Sequence, residues 1–167
     1  MIQVEAFLLA NNIVFVTHEH PPVFTCEELE RYVIPGLSCK NLFLRDQKKK
    51  RYFLVILPAA KKTDLARVGE VVGERKLSFV NAESLKEKLG VEPGAVSPFG
   101  LLNDAAASVE VYVDREVHDA PLLHFHPNRN TASLELTREM FQKYISTVKN
   151  KVIIWDWIRF HPDSPAE

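Results

Sequence analysis

The sequence predicts a mixed α/β fold, one mixed β-sheet with helices around its periphery. Three observations predict it. An apolar hairpin occupies residues 39–57, capped helical segments are interspersed among short strand-like runs, and the regular βαβ alternation of a doubly wound fold is missing. Hairpins combined with helical crossovers place antiparallel and parallel pairs in the same sheet.

Residues 2–11 carry Ile2, Ala6, Leu8 and Leu9 at helical spacing, and Asn11-Asn12 stops the helix. Residues 13–17 are rich in β-branched and aromatic side chains and predict a strand. Pro21-Pro22 then breaks regular structure. Thr25-Cys26-Glu27-Glu28 reads as a capping box. The Thr25 hydroxyl accepts from the Glu28 amide, and the Glu28 carboxylate reaches back to the Thr25 amide. A short helix to Tyr32 follows, ended by Pro35-Gly36. Residues 39–46 and 52–57 flank the polar turn Gln47-Lys48-Lys49-Lys50. Leu42 and Leu44 share one face of the first strand, with Asn41 and Phe43 on the other. The second strand is apolar on both faces, as a central, covered strand is.

Thr63 is placed to cap a helix over residues 64–72, with Gly73 just past its end. Residues 77–80 form a short strand. Asn81 caps a helix over residues 82–89, which Gly90 closes. Residues 91–100 form a loop rich in Pro and Gly. Residues 109–114, 122–126 and 132–136 are strands, and Thr137 caps a last amphipathic helix reaching Val148. Residues 152–158 are apolar enough to need a covered site, on this domain or on a second subunit.

The 167 residues suit one domain, 1–167, with 151–167 a C-terminal tail whose role stays open. Hydrophobic residues make up 46% and charged residues 26%, which excludes a disordered or low-complexity chain. No run approaches the length of a membrane helix. Residues 1–11 lack the basic start of a signal peptide, and Glu5 interrupts their apolar run. Cys26 and Cys39 fit neither a disulfide framework nor a zinc spacing, so they read as thiols in a reducing, cytoplasmic setting. A net charge of -1 excludes a high-affinity, sequence-reading duplex binder, and a DNA partner with it. Basic residues still gather locally, at Lys48-Lys49-Lys50-Arg51, Lys61-Lys62 and Arg75-Lys76. Each is a solvated face or a patch sufficient for brief contact with a phosphate-bearing end.

Three segments carry more than structure alone requires. Lys40, in Cys39-Lys40-Asn41, is either a solvated edge charge or a cation that anchors a phosphate or carboxylate. Gly94-Ala95-Val96-Ser97-Pro98, continuing to Asn103-Asp104, is a connector or a binding loop whose backbone groups meet a small polar ligand. His124-Phe125-His126-Pro127-Asn128 runs on to Thr131. Its His-x-His pair has no Cys or acidic partner at metal-ligand spacing, so a polar site at His126 is favoured and no metal is assigned. His18 and His20 give a still weaker metal signal. There is no nucleophile elbow. Cys26, at a helix start where a thiol pKa can be lowered, reads as a structural or substrate-lining thiol.

Together these segments resemble the YbaK/ProX family of aminoacyl-tRNA deacylases, which also occurs as the editing insertion of bacterial prolyl-tRNA synthetases. The resemblance rests on Cys39-Lys40-Asn41-Leu42-Phe43-Leu44-Arg45-Asp46, on Leu77-Ser78-Phe79, on residues 89–104 with their Gly94-to-Pro98 loop and Pro98-Phe99-Gly100-Leu101-Leu102-Asn103-Asp104 wording, and on His126-Pro127-Asn128 through Thr131. It runs from Val16 to the last helix and excludes residues 151–167. Within the family it is nearest the free-standing ProXp-ala/PrdX branch of alanyl-tRNA(Pro) deacylases.

The resemblance implies a barrel-like mixed sheet surrounded by helices. It also implies hydrolysis of the ester at the 3′-terminal adenosine of mischarged tRNA(Pro), Ala-tRNA(Pro) first, without a cofactor. Lys40 would anchor the terminal nucleotide, Gly94 would open the loop to the aminoacyl group, and His126 would hold substrate. Thr25, Asn41, Ala95, Val96, Ser97, Pro98, Asn103, Asp104, Asn128 and Thr131 would line the substrate site. The implied partners are the aminoacylated tRNA(Pro) acceptor end and prolyl-tRNA synthetase, with no membrane. Two alternatives stay open. One is a deacylase for another small residue, on Cys-tRNA(Pro) or Ser-tRNA; the other is a non-catalytic tRNA- or synthetase-binding module of the same fold.

Overall fold

The computed structural model describes residues 2–156. Its strands are β1 (Val16–Glu19), β2 (Leu37–Asp46), β3 (Tyr52–Pro58), β4 (Leu77–Phe79), β5 (Val109–Asp114), β6 (Leu122–Phe125), β7 (Ala132–Thr137) and β8 (Val152–Trp155). They form one mixed sheet in the order β1-β7-β6-β2-β3-β5-β8, with β4 on β2. The helices are α1 (Val4–Ala10), α2 (Cys26–Leu29), α3 (Leu65–Val72), α4 (Ala82–Leu89), α5 (Arg115–His118) and α6 (Arg138–Thr147), with a 3-10 helix at Pro98–Asn103. None of the described helices is long and apolar enough to cross a membrane.

The pleat of the central hairpin divides the core in two. On β3, Leu54 and Ile56 enter one cluster, with Val4 and Leu8 of α1, Leu85 and Leu89 of α4, and Phe141 and Tyr144 of α6. Phe53, Val55 and Leu57 enter the other, with Val68 and Val72 of α3. On β2, Phe43 joins the first cluster and Leu42 and Leu44 the second, as alternation requires. Leu134 and Leu136 of β7 and Val111 and Val113 of β5 share the first cluster, so distant strands of the sheet enclose a common core.

Several boundaries differ from expectation. The first strand begins at Val16, because Ile13 is drawn into the core beside α1 and its amide donates to Leu8 O at 2.9 Å. Helix α2 ends at Leu29 instead of Tyr32. In its cap, Thr25 Oγ1 accepts from the Glu28 amide as expected, but Glu28 Oε2 accepts from the Phe24 amide, one residue earlier than expected. The cap of α3 is Asp64, whose Oδ1 accepts from the Ala66 and Arg67 amides; Thr63 instead accepts from Lys40 Nζ at 3.3 Å. The loop tightens into the 3-10 helix at Pro98, entered through Ser97 Oγ, which accepts from the Phe99 amide. Asp114 caps the unexpected short helix α5. The apolar segment beyond Lys151 is covered by this domain: β8 lies parallel to β5, from Val111↔Val152 to Asp114↔Trp155. Trp157 and Ile158 lie outside the described residues.

Ile56 is wholly buried where β2, β3 and β5 meet. We expect Ile56→Ala to lower stability by about 2–5 kcal/mol, read as an earlier urea midpoint with an unchanged slope.

Candidate active site

A strand inside a sheet presents N–H and C=O groups to both edges. In the β2–β3 ladder Ser38 O accepts from the Ala59 amide at 2.8 Å, which commits the even-numbered residues of β2 to β3. The odd-numbered residues therefore turn their backbone groups to the other edge. There β6 pairs only with Leu37 and Ser38, and β4 only with Leu44, Arg45 and Asp46, while Phe43 O accepts from the Val80 amide. Between these contacts, at Cys39–Leu42, no described strand pairs with this edge. A cavity of about 320 Å³ lies along the gap.

The cavity gathers Lys40, Asn41, Gly94, Val96, His126 and Thr25 from four distant stretches of chain. Thr25 and Cys26 reach it from the start of α2, held by the cap described above. Gly94 approaches with φ +89, a left-handed conformation, and Phe24 lies against it: a Cβ added at Gly94 would sit 3.3 Å from Phe24 Cδ1. Lys40 follows Cys39 on the pleat, and Thr63 holds its ammonium from the α3 side. Cys26, read as a structural or substrate-lining thiol, lines the cavity, and its place at a helix start does not lower its pKa. Burial pushes its thiol up, and the neighbouring Lys40 charge only partly offsets this. Burial pushes the Cys39 thiol up as well.

Sequence reasoning missed Ser38, Ser133 and His20, and gave His124 no role. His124 Nδ1 faces Pro35 O at 3.0 Å, and its Nε2 faces Ser38 Oγ at 3.0 Å. His20 Nδ1 faces Pro21 O at 2.9 Å, and its Nε2 faces Ser133 Oγ at 3.0 Å. His126 Nδ1 faces Ala132 O at 2.8 Å. A backbone carbonyl only accepts, so in each neutral ring Nδ1 carries the proton and Nε2 is the acceptor. Ser38 and Ser133 then donate to the rings, and His126 Nε2 is left on the cavity side. Burial holds the His124 and His126 rings below their ordinary pKa, and the bonds to backbone carbonyls oppose it only in part. His18, the partner of His20 in the weaker His-x-His pair, bonds Glu135 at 2.9 Å. Among the described residues, no three ligating side chains gather as a metal site.

The remaining predicted residues support the loop instead of lining the cavity. Ala95, Ser97 and Pro98 are buried. Pro98 O accepts from Tyr144 Oη at 2.6 Å, and Ser97 Oγ donates to Asn128 Oδ1 at 3.4 Å. Asn128, itself at φ +62, donates to Phe99 O. Asn103 donates to Leu89 O, and Asp104 accepts from the Val109 amide and Asn150 Nδ2. Thr131 O accepts from the His20 amide. These bonds tie the loop to α4, α6 and β5, which leaves the side chains facing away from the gap. The basic clusters are partly neutralised. Arg51 makes a two-pronged bond to Glu110, and Lys61 pairs with the buried Asp114 at 2.8 Å. A larger hollow of about 840 Å³ beside Lys61 and Asp114 contains none of the predicted site residues.

The depressed histidines set a sign for acid stability. Below the ordinary value of 6.5, unfolded rings bind protons that the native rings refuse, so stability falls as pH drops from 6.5 towards the native values. We expect the double variant His124→Gln/His126→Gln to have a shallower decline of urea midpoint between pH 7 and pH 5 than the wild type.

The aminoacyl-tRNA editing domain model matches residues 20–144, a span that holds every residue lining the cavity. Prolyl-tRNA editing protein ProX of Acetoanaerobium sticklandii is 40% identical over 134 residues, 79% of this chain and 82% of that protein. Prolyl-tRNA synthetase associated domain-containing protein 1 of Danio rerio is 34% identical over 156 residues, 91% of this chain and 84% of that protein. The solved structure of hypothetical protein APE2540 superposes with a TM-score of 0.71 at 19% identity, over 92% of this chain and 98% of the other. That of a candidate trans-editing enzyme for prolyl tRNA synthetase does so with 0.66 at 18%, over 91% and 93%. At those identities the two structures share the fold. The family match and the sequence relatives go further: the chain belongs to the aminoacyl-tRNA editing domain family.

Proposed function

We propose that this protein is a cytoplasmic hydrolase that deacylates mischarged tRNA(Pro), with the alanyl ester as its main substrate and prolyl-tRNA synthetase as the source of the error. The observation that carries the reading is the convergence of Lys40, Asn41, Gly94 and His126 on one cavity inside the span matched by the editing-domain family. The likeness to ProX of Acetoanaerobium sticklandii supports the prolyl assignment. The alanine preference rests on the Cys39–Asp46 and Pro98–Asp104 wording.

An aminoacyl ester is already reactive, so positioning and polarisation suffice for its hydrolysis. Lys40 holds the terminal nucleotide through its phosphate, while Thr63 orients the ammonium. Backbone groups of the Gly94–Val96 turn meet the ester carbonyl, and the missing side chain at Gly94 lets them approach. Water attacks the carbonyl carbon, the bond to the 3′ oxygen breaks, and that oxygen leaves with a proton. The vicinal ribose hydroxyl of the substrate assists the attack. His126 and Asn41 hold the aminoacyl end. Thr25, Leu29, Leu42 and Val96 bound the space that admits a small side chain. A passive wall of this kind separates substrates differing by one methylene by only about 10- to 200-fold.

Hydrolysis of Ala-, Cys- and Pro-tRNA(Pro) tests the reading. The alanyl ester is expected to turn over fastest and the prolyl ester to be spared. Lys40→Ala is expected to slow the alanyl reaction by at least about 100-fold with an unchanged melting curve; near-wild-type turnover would remove Lys40 from the site. Gly94→Val places a β-branched side chain at positive φ against Phe24, and a loss of at least about 10-fold is expected from such a misplacement. Binding of tRNA without turnover of any ester would support an adaptor module instead.

A further inference from the structure

Beyond the cavity, the same edge of β2 continues to β4. There Leu77 lies opposite Asp46 and Phe79 opposite Leu44, so β4 runs from the hairpin turn back towards the gap. Residues opposite each other across an antiparallel pair share a face of the sheet. Leu44 belongs to the core that holds α3. Lys40, four residues earlier on the pleat, points to that side too, where Thr63 accepts from it. Phe79 therefore stands on the face that carries Lys40, about 13 Å farther along the strand at about 3.3 Å per residue. Its side chain is 55% exposed, and no described strand covers the outer edge of β4. Farther out, Arg75 and Lys76 precede β4, and Lys48, Lys49 and Lys50 form the hairpin turn; all five are exposed. A hollow of about 210 Å³ is lined by Lys48 from the turn and by Arg75 and Lys76 from the loop, so the two runs make one patch.

The carboxylates beside this patch are already engaged. Asp46 Oδ1 accepts from the Lys50 and Arg51 amides at 2.7 and 3.0 Å, and Glu74 pairs with Arg51 at 3.5 Å. Among the described residues, none of the five cationic groups has an ion-pair or side-chain hydrogen-bond partner. In a chain of net charge -1, such a patch is a local field that draws an anion. An exposed ring followed by unpaired cations on one face suits a nucleic-acid strand, whose bases stack on the ring whatever their sequence and whose phosphates meet the cations. We propose that Phe79, Arg75, Lys76 and the three turn lysines form a track for the RNA strand that carries the ester. One base stacks on Phe79, and phosphates farther from the ester lie on the cations. The track rests on the deacylase reading and adds how the polynucleotide is held outside the cavity.

Two substrates separate the track from the cavity: alanyl-tRNA(Pro), and 3′-O-alanyladenosine, which carries the ester without the strand. In Lys48→Gln/Lys49→Gln/Lys50→Gln/Arg75→Gln/Lys76→Gln, kcat/KM on alanyl-tRNA(Pro) at low salt is expected to fall at least about 10-fold, mainly through KM. The slope of its logarithm against the logarithm of salt concentration is expected to flatten by at least about 1.4, the share of two single-strand phosphates at about 0.7 each. Phe79→Leu keeps an apolar side chain and removes the ring face. A loss of at least about 5-fold is expected on alanyl-tRNA(Pro), reversed in Phe79→Tyr. All three variants, checked for folding by circular dichroism, are expected to hydrolyse 3′-O-alanyladenosine at the wild-type rate. An unchanged kcat/KM and salt slope on alanyl-tRNA(Pro) in the folded cation variant overturn the track and leave the deacylase reading standing. Equal losses on both substrates place the effect in the cavity and overturn the track as well. No loss in Phe79→Leu, or a loss that Phe79→Tyr shares, overturns the stacked base. No hydrolysis of either ester by the wild type overturns the deacylase reading, and the track with it.

Discussion

A strand in the middle of a sheet has to satisfy hydrogen-bonding groups along both edges, and β2 meets this demand evenly on only one. Towards β3 the pairing is continuous from Cys39 to Arg45. Towards the other side β6 holds its first residues and β4 its last. One partner is parallel and the other antiparallel, and they arrive from different parts of the chain. The edge between them faces a cavity, and backbone groups there are available to a ligand in place of a neighbouring strand. Lys40, Asn41, the Gly94 turn and the start of α2 all border that gap.

The polar chemistry around the gap is built from fixed hydrogen bonds and from neutral rings. Three histidines direct a ring proton to a backbone carbonyl, and two of the opposite nitrogens take the hydroxyl proton of a serine. Burial keeps His124 and His126 neutral. The result is a site with preset lone pairs and little freedom to reorganise, which suits polarisation and recognition better than strong base chemistry. Loop residues outside the cavity serve the same end. Ser97, Asn128 and Tyr144 lock the 3-10 turn that follows Gly94, so the left-handed turn is presented by a braced scaffold.

Much of the scaffold was legible because it follows local periodicity. Alternation on β2 and β3 assigned Phe43 and Leu44 to different cores, and the caps Asn81, Thr137, Gly73 and Gly90 stand where their side-chain chemistry and position placed them. Local chemistry was ambiguous at Thr63 and Asp64, two adjacent residues that can both cap a helix. The choice was made by Lys40, 23 positions away, which takes the threonine hydroxyl. Within the site, the residues marked by unusual local wording, Lys40 and Gly94, do line the cavity. Ala95, Ser97 and Pro98 belong to the same wording but turn inwards, because a loop has no fixed period to assign its faces. Ser133 was invisible for another reason: its meaning depends on His20, 113 positions earlier, and the strand around it reads as ordinary core.

The proposed deacylation puts substrate at the unpaired stretch of β2. The most direct measurement is an amide chemical-shift map of the protein titrated with 3′-alanylamido-3′-deoxyadenosine, an amide analogue of the aminoacyl end that resists hydrolysis. The largest shifts are expected at Thr25, Cys26, Lys40, Asn41, Gly94 and His126. Shifts centred on the hollow beside Lys61 and Asp114, with the β2 gap unmoved, would contradict it.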